Sequence, residues 1–154
     1  MKRILLSLLL AAGTAILAAS AAAQTKSLLN IDKTGLAIQG YDAVSFFTQG
    51  TPVKGRPEFE SRYHGARYQF ASPENKSAFD ANPGKYEPEF GGFCAYAVSE
   101  GHTAPVKIDA FMIVNGRLLM QYDRKLRAMF EKDPQGRLAR ADQNWPGLVE
   151  KEGR

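Results

Sequence analysis

The apolar positions change period several times along this chain, and each change predicts an element. Phe59, Tyr63, Tyr68 and Phe70 flank His64-Gly65, a reasonable two-residue hairpin turn, and the Tyr68-x-Phe70 alternation predicts a strand with one face in a core. Phe111-Met112-Ile113-Val114 and Leu118-Leu119-Met120-Gln121-Tyr122 flank Asn115-Gly116, among the strongest short hairpin signals. From Asp123 the period becomes helical: Leu126, Met129 and Phe130 share a face, with Arg124, Lys125, Arg127 and Lys132 around it. A second helical stretch over Gln135 to Asn144 carries Leu138 and Ala141 inward. It is expected to end at Trp145-Pro146-Gly147-Leu148, with the tryptophan as a docking anchor.

Shorter helices are marked by their ends. Asp42 is an N-cap candidate ahead of Ala43-Val44-Ser45-Phe46-Phe47. Ser72-Pro73-Glu74 is the clearest helix start, with a capping hydroxyl, a proline where a missing N–H is harmless, and an acid at the positive end of the dipole. Asn82-Pro83-Gly84 keeps that helix short, and Gly91-Gly92 precedes a compact apolar piece, Cys94 to Val98, stopped by Gly101. The sum is a small single α+β domain, two β-hairpins packed against short helices, with C-terminal helices after the second hairpin.

The first residues belong to another pattern. Lys2 and Arg3 precede an apolar run from Ile4 to Leu17 and the small-residue stretch Ala18 to Ala23, the layout of a secretory signal cut after Ala23. The run falls short of the roughly 20 apolar residues of a membrane span. The expected division is a signal peptide over 1–23, a lightly structured lead-in over 24–35, a folded domain over 36–148 and a C-terminal tail over 149–154. Such a chain is expected to be periplasmic or secreted, with no membrane attachment after signal removal. Losing Lys2 and Arg3 takes the formal charge from +4 to +2, too weak a surplus for a nucleic-acid surface.

Cys94 is the only cysteine. In an exported protein an unpaired cysteine suggests a reactive thiol, a metal ligand or an intermolecular bridge, yet free cysteine is also among the most often buried residues. An inert core cysteine, a metal ligand and a redox or disulfide-forming thiol all remain open. His102 lies eight residues on, past Ser99-Glu100-Gly101, and with His64 from the first hairpin it completes a candidate Cys94, His102, His64 set for copper or zinc. His64 is equally a plain turn residue.

Several motifs together carry a resemblance. Gly40-Tyr41-Asp42-Ala43-Val44-Ser45-Phe46-Phe47, Tyr68-Gln69-Phe70-Ala71-Ser72-Pro73-Glu74-Asn75, Asn82-Pro83-x-Lys85-Tyr86, Gly91-Gly92-Phe93-Cys94-Ala95-Tyr96 and Asp142-x-Asn144-Trp145-Pro146 resemble the exported YHS-domain proteins. The wider family is similar to small heavy-metal-binding modules in which three cysteine thiolates suit soft cations. The resemblance places those three positions on Ser45, Ala71 and Asn75, so every expected thiolate is missing and the inherited metal site is expected to be dead. Cys94 occupies none of them.

No glycine-rich phosphate loop, nucleophile elbow or zinc-protease helix is present. The pattern therefore favours a non-enzymatic binding protein for a transition metal or a small ligand, with Tyr41, Asp42, Phe93 and Tyr96 as ligand-binding candidates near Cys94. The alternative is a thiol-dependent redox protein or enzyme using Cys94, which requires an accessible thiol of lowered pKa.

Overall fold

The structure is a computed structural model describing residues 25–154, and the expected signal peptide lies outside the described residues. The α+β expectation holds. A 3-10 turn at Ile38–Gly40 leads to α1 (Ser45–Thr48), the hairpin β1 (Arg56–Tyr63) and β2 (Ala66–Phe70), α2 (Pro73–Ala81) and α3 (Pro83–Tyr86). A second 3-10 turn at Phe90–Gly92 precedes α4 (Ala95–Ser99), the hairpin β3 (Lys107–Val114) and β4 (Arg117–Gln121), then α5 (Arg124–Glu131) and α6 (Pro134–Glu152). The two antiparallel hairpins form separate two-stranded sheets.

Local chemistry explains most of these boundaries. Both hairpins turn on two residues of positive φ, His64 (47°) and Gly65 (86°) in one, Asn115 (52°) and Gly116 (73°) in the other. That pairing is the type I′ turn whose twist matches the flanking strands. Ser72 Oγ accepts from Asn75 N–H at 3.1 Å to start α2, and Pro73 takes its first position. Asp123 and Asp133 cap α5 and α6 in the same way, through Leu126 N–H (2.8 Å) and Gly136 N–H (3.0 Å).

The second hairpin divides the interior into two cores. Ile108, Leu118 and Met120 face the first core, with Phe46, Tyr68, Phe70 and Phe79. Met112, Val114 and Leu119 face the second, with Val98, Phe130, Leu138 and Leu148. Strand alternation sends successive side chains to opposite faces, so a strand buried on both sides is apolar without interruption. Leu118, Leu119 and Met120 accordingly have no exposed surface. The segment from Pro88 to Cys94 lies along the other edge of β4, through parallel bridges Pro88 to Leu118 and Cys94 to Met120 and a 2.9 Å bond from Glu89 N–H to Leu118 O.

Two boundaries differ from expectation. Trp145-Pro146-Gly147 does not end the last helix, which continues to Glu152. Pro146 and Gly147 lie on the exposed side, so the carbonyl deprived of its partner, on exposed Asp142, can be met by water, while buried Leu148 holds the next turn against the second core. The tail over 149–154 is thus largely helix. The lead-in has little regular structure among the described residues, yet it is tied down. Ser27 and Arg154 exchange two backbone hydrogen bonds (3.0 and 2.9 Å), and Asn30 N–H donates to Gly91 O at 2.8 Å. Gly91 has φ 59°, and a Cβ there would sit 2.0 Å from Leu28 O, so only glycine admits this close approach.

Because β4 serves both cores, Leu118→Ala and Leu119→Ala should each lower unfolding free energy by about 2–5 kcal/mol, although the two side chains point in opposite directions. Guanidinium denaturation measures both, and a loss confined to one of them would contradict the divided interior.

Candidate functional site

Cys94 is fully buried. Its thiol donates to Gln121 Oε1 at 3.4 Å and accepts from Tyr122 N–H at 3.2 Å, while Gln121 Oε1 also accepts from Tyr96 N–H at 3.0 Å. Burial pushes the thiol pKa up, against the smaller effect of the backbone N–H groups around it. The thiol closes the edge of β4 where the ladder ends, a buried placement that fits the inert-core alternative. Cys94 in the native protein should resist Ellman's reagent at pH 8 and react at once in guanidinium, since a raised pKa leaves less thiolate than in free cysteine. Stoichiometric labelling of native protein would contradict this placement.

The three candidate metal ligands do not converge, and among the described residues no group of three His, Cys, Asp or Glu side chains is placed to hold a metal ion. His102 is exposed on the turn after α4, its N–H bonded to Ala97 O at 3.1 Å. His64 sits on the first hairpin turn, stacked on Tyr63 and bonded through Nδ1 to Glu87 Oε2 at 3.2 Å. Among the described residues, Cys94, His102 and His64 thus stand in three separate local structures and are not brought together as a copper or zinc set.

The positions that the resemblance assigns to thiolates do come together, around Asp42. This carboxylate has no exposed surface. Oδ1 accepts from Val44 N–H (2.9 Å) and Ser45 N–H (3.3 Å), and Oδ2 from Ala71 N–H (2.8 Å) and Asn75 Nδ2 (2.6 Å). Ser45 Oγ donates to Asp42 O at 2.7 Å and accepts from Val53 N–H at 3.2 Å. Ala71 offers no donor atom to a metal, Ser45 and Asn75 are poor ligands for a soft cation, and Ser45 Oγ and Asn75 Nδ2 are already bonded. A metal does not fit here. Asp42 instead joins the start of α1, the end of β2 and the start of α2, so it is a clamp rather than a ligand-binding residue. Asp42→Ala, which strands several donors in the interior, should cost about 3–5 kcal/mol of stability by chemical denaturation; a loss under about 1 kcal/mol would show the clamp to be incidental.

The aromatic candidates are likewise separated. Tyr41 packs on the first core with the Lys54 ammonium 4.5 Å over its ring, while Phe93 and Tyr96 pack on the second. The Arg137 guanidinium lies 4.1 Å from the Tyr96 ring centroid and donates to its hydroxyl at 3.2 Å. None of the three lines a cavity described here.

A cavity of about 590 Å³ lies elsewhere. The first hairpin turn contributes His64 to it, β2 Tyr68, the segment after α3 Glu87 to Gly91, α6 Trp145 and Val149, and the lead-in Lys26 to Leu29. Its walls exist because Pro88 and Glu89 are pinned to β4 and the lead-in to Gly91 and Arg154. Tyr68 is 3% exposed, and its hydroxyl, at the cavity wall, has no hydrogen-bond partner among the described residues. Burial, with the nearby Glu87 charge, pushes its pKa well up and keeps it a phenol. Burial also raises the Glu87 carboxyl, against the lowering effect of His64. Glu89 is held by Arg117 at 2.7 Å, and Arg117 also grips Asp142 of α6 at 2.7 and 2.9 Å. Phe90 meets Trp145 edge-on, 5.8 Å between centroids. A mixed cavity of this size with a few converging polar groups is the usual form of a small-ligand site.

Of the sequence candidates only His64 reaches this cavity. Tyr68, Glu87, Phe90 and the lead-in were not expected there, and Trp145 only as an anchor. The one available signal was Glu87-Pro88-Glu89, two acids around a proline in an otherwise aromatic stretch. The final motif is also accounted for: Asp142 binds Arg117, Asn144 Nδ2 donates to Val98 O (3.0 Å) and Ser99 O (3.2 Å) at the end of α4, and Trp145 closes the cavity.

Residues 44–89 match the family model described as the YHS domain, from the start of α1 through Glu89, so the match includes the Asp42-bound positions as well as His64, Tyr68 and Glu87. No curated protein and no solved structure matches the chain.

Proposed function

We propose, for a chain that carries a YHS domain, that it is an exported, non-enzymatic binding protein for a small ligand, held in the cavity between the first hairpin turn, the Glu87–Gly91 segment and α6. The observation that carries this reading is the cavity of about 590 Å³ itself, whose lining brings the Tyr68 phenol and the half-buried Glu87 carboxylate together with Leu28, Leu29, Phe90 and Trp145. A few polar groups converging in an otherwise apolar cavity are what orient a small ligand there. Metal binding of the wider family's kind is not part of the reading, because the Asp42 cluster has no thiolate and its carboxylate is taken up by N–H donors. A thiol mechanism is weighed down by the burial and raised pKa of Cys94. Export rests on Lys2, Arg3, the apolar run and the Ala21-Ala22-Ala23 cleavage pattern.

The test is a thermal-shift screen of the mature protein against small cationic, neutral and anionic compounds, since a ligand that binds only the native state raises the melting temperature by mass action. Binding should be lost in Val149→Trp, which fills the cavity from α6, and kept in Ile113→Trp on the exposed face of β3. Failure of every compound, or equal binding by the filled variant, overturns the reading.

A further inference from the structure

We propose that the cavity takes a small organic cation with an apolar body, its ammonium or guanidinium group held between the Glu87 carboxylate and the Tyr68 hydroxyl. This rests on the cavity being a ligand site and names the class of ligand.

Local charge points to the class of ligand. Two of the charged side chains that line the cavity are engaged in place: Lys26 bonds Glu150 at 2.6 Å, and Glu89 bonds Arg117 at 2.7 Å. Glu87 has no lysine or arginine partner among the described residues. Its Oε2 meets His64 Nδ1 at 3.2 Å, and Oε1 has no partner among the described residues. The free protein thus carries a half-buried carboxylate with one open oxygen, which a bound cation would pair.

Tyr68 adds direction. A phenol both donates and accepts, so its oxygen can take one N–H of an ammonium group while Glu87 takes another. The remaining walls suit an apolar body: Leu28, Leu29, Phe90 and Trp145 line the cavity, and the aromatic faces attract a cation in their own right. An anion would meet the Glu87 carboxylate, while Lys26 is engaged by Glu150 and Arg117 by Glu89 and Asp142.

Calorimetric titration at pH 7.5 and low salt with three near-isosteric probes decides the matter: 2-phenylethylamine, 2-phenylethanol and 3-phenylpropanoate. The amine should bind most tightly. Glu87→Gln should weaken it by about 10–100-fold, the usual loss of a charge-assisted hydrogen bond, and Tyr68→Phe by a smaller factor. Loss of the folded state is excluded by a second reading. Burial raises the Glu87 pKa, so the folded protein loses stability as pH rises past the ordinary glutamate range, and at pH 7 Glu87→Gln should melt no lower than the parent protein. If the alcohol or the carboxylate binds as well as the amine, or Glu87→Gln leaves amine binding unchanged, the cation assignment is overturned while the cavity stands as a binding site. Absence of amine binding at millimolar concentration overturns it as well, and absence of binding by every compound of the broader screen also removes the binding function.

Discussion

Burial of β4 on both faces and along both edges is the constraint on which the rest of this structure depends. Leu118 and Met120 complete one core and Leu119 the other, so a single five-residue strand serves both at once. Its first edge pairs with β3, and its second is occupied by the Pro88 to Cys94 segment. An open edge in the middle of a protein would leave polar backbone unsatisfied, and this segment meets that need with the Glu89 N–H, which donates to Leu118 O, and the Cys94 thiol, which accepts from Tyr122 N–H and donates to the Gln121 side chain.

The same pinning creates the cavity. Because Pro88 and Glu89 are fixed to β4, Glu87 and Phe90 at either side of them are presented at set positions. Because Gly91 admits the lead-in at close range, Leu28 and Leu29 arrive opposite them. Arg117 then links β4, Glu89 and Asp142 of α6, and its guanidinium, with a pKa pushed further up by those two carboxylates, remains charged. The cavity is built from four parts of the chain lying far apart in sequence, each held by an interaction that serves folding first.

Asp42 and Cys94 exchange the roles that residue type alone would suggest. The cysteine, the obvious reactive group, is a packed edge residue whose thiol ends a strand ladder. The aspartate, which looks like a helix cap, accepts from Val44 and Ser45 at the start of α1 and also from Ala71 and Asn75, drawing three segments together through one carboxylate.

Much of this was determined by the sequence alone. The two type I′ turns, the Ser72-Pro73 helix start, the Asp123 cap and the helical period of α5 are consequences of neighbouring residues, and such local preferences act wherever the chain is. The hairpins and helices are therefore legible, and so is the α+β class. Tertiary structure decided the rest. Pro146 and Gly147, read locally, end a helix; the burial of Leu148 in the second core carries it past them. Cys94, read by its rarity, leaves an inert, a metal-bound and a reactive thiol open; its packing against Gln121 and Tyr122 buries it. Tyr68 reads as a core aromatic of one strand, and its ring is that, while its hydroxyl reaches a cavity whose other walls come from 19 to 81 residues away at Glu87 and Val149. No local pattern encodes that meeting, because it depends on how two cores share one strand.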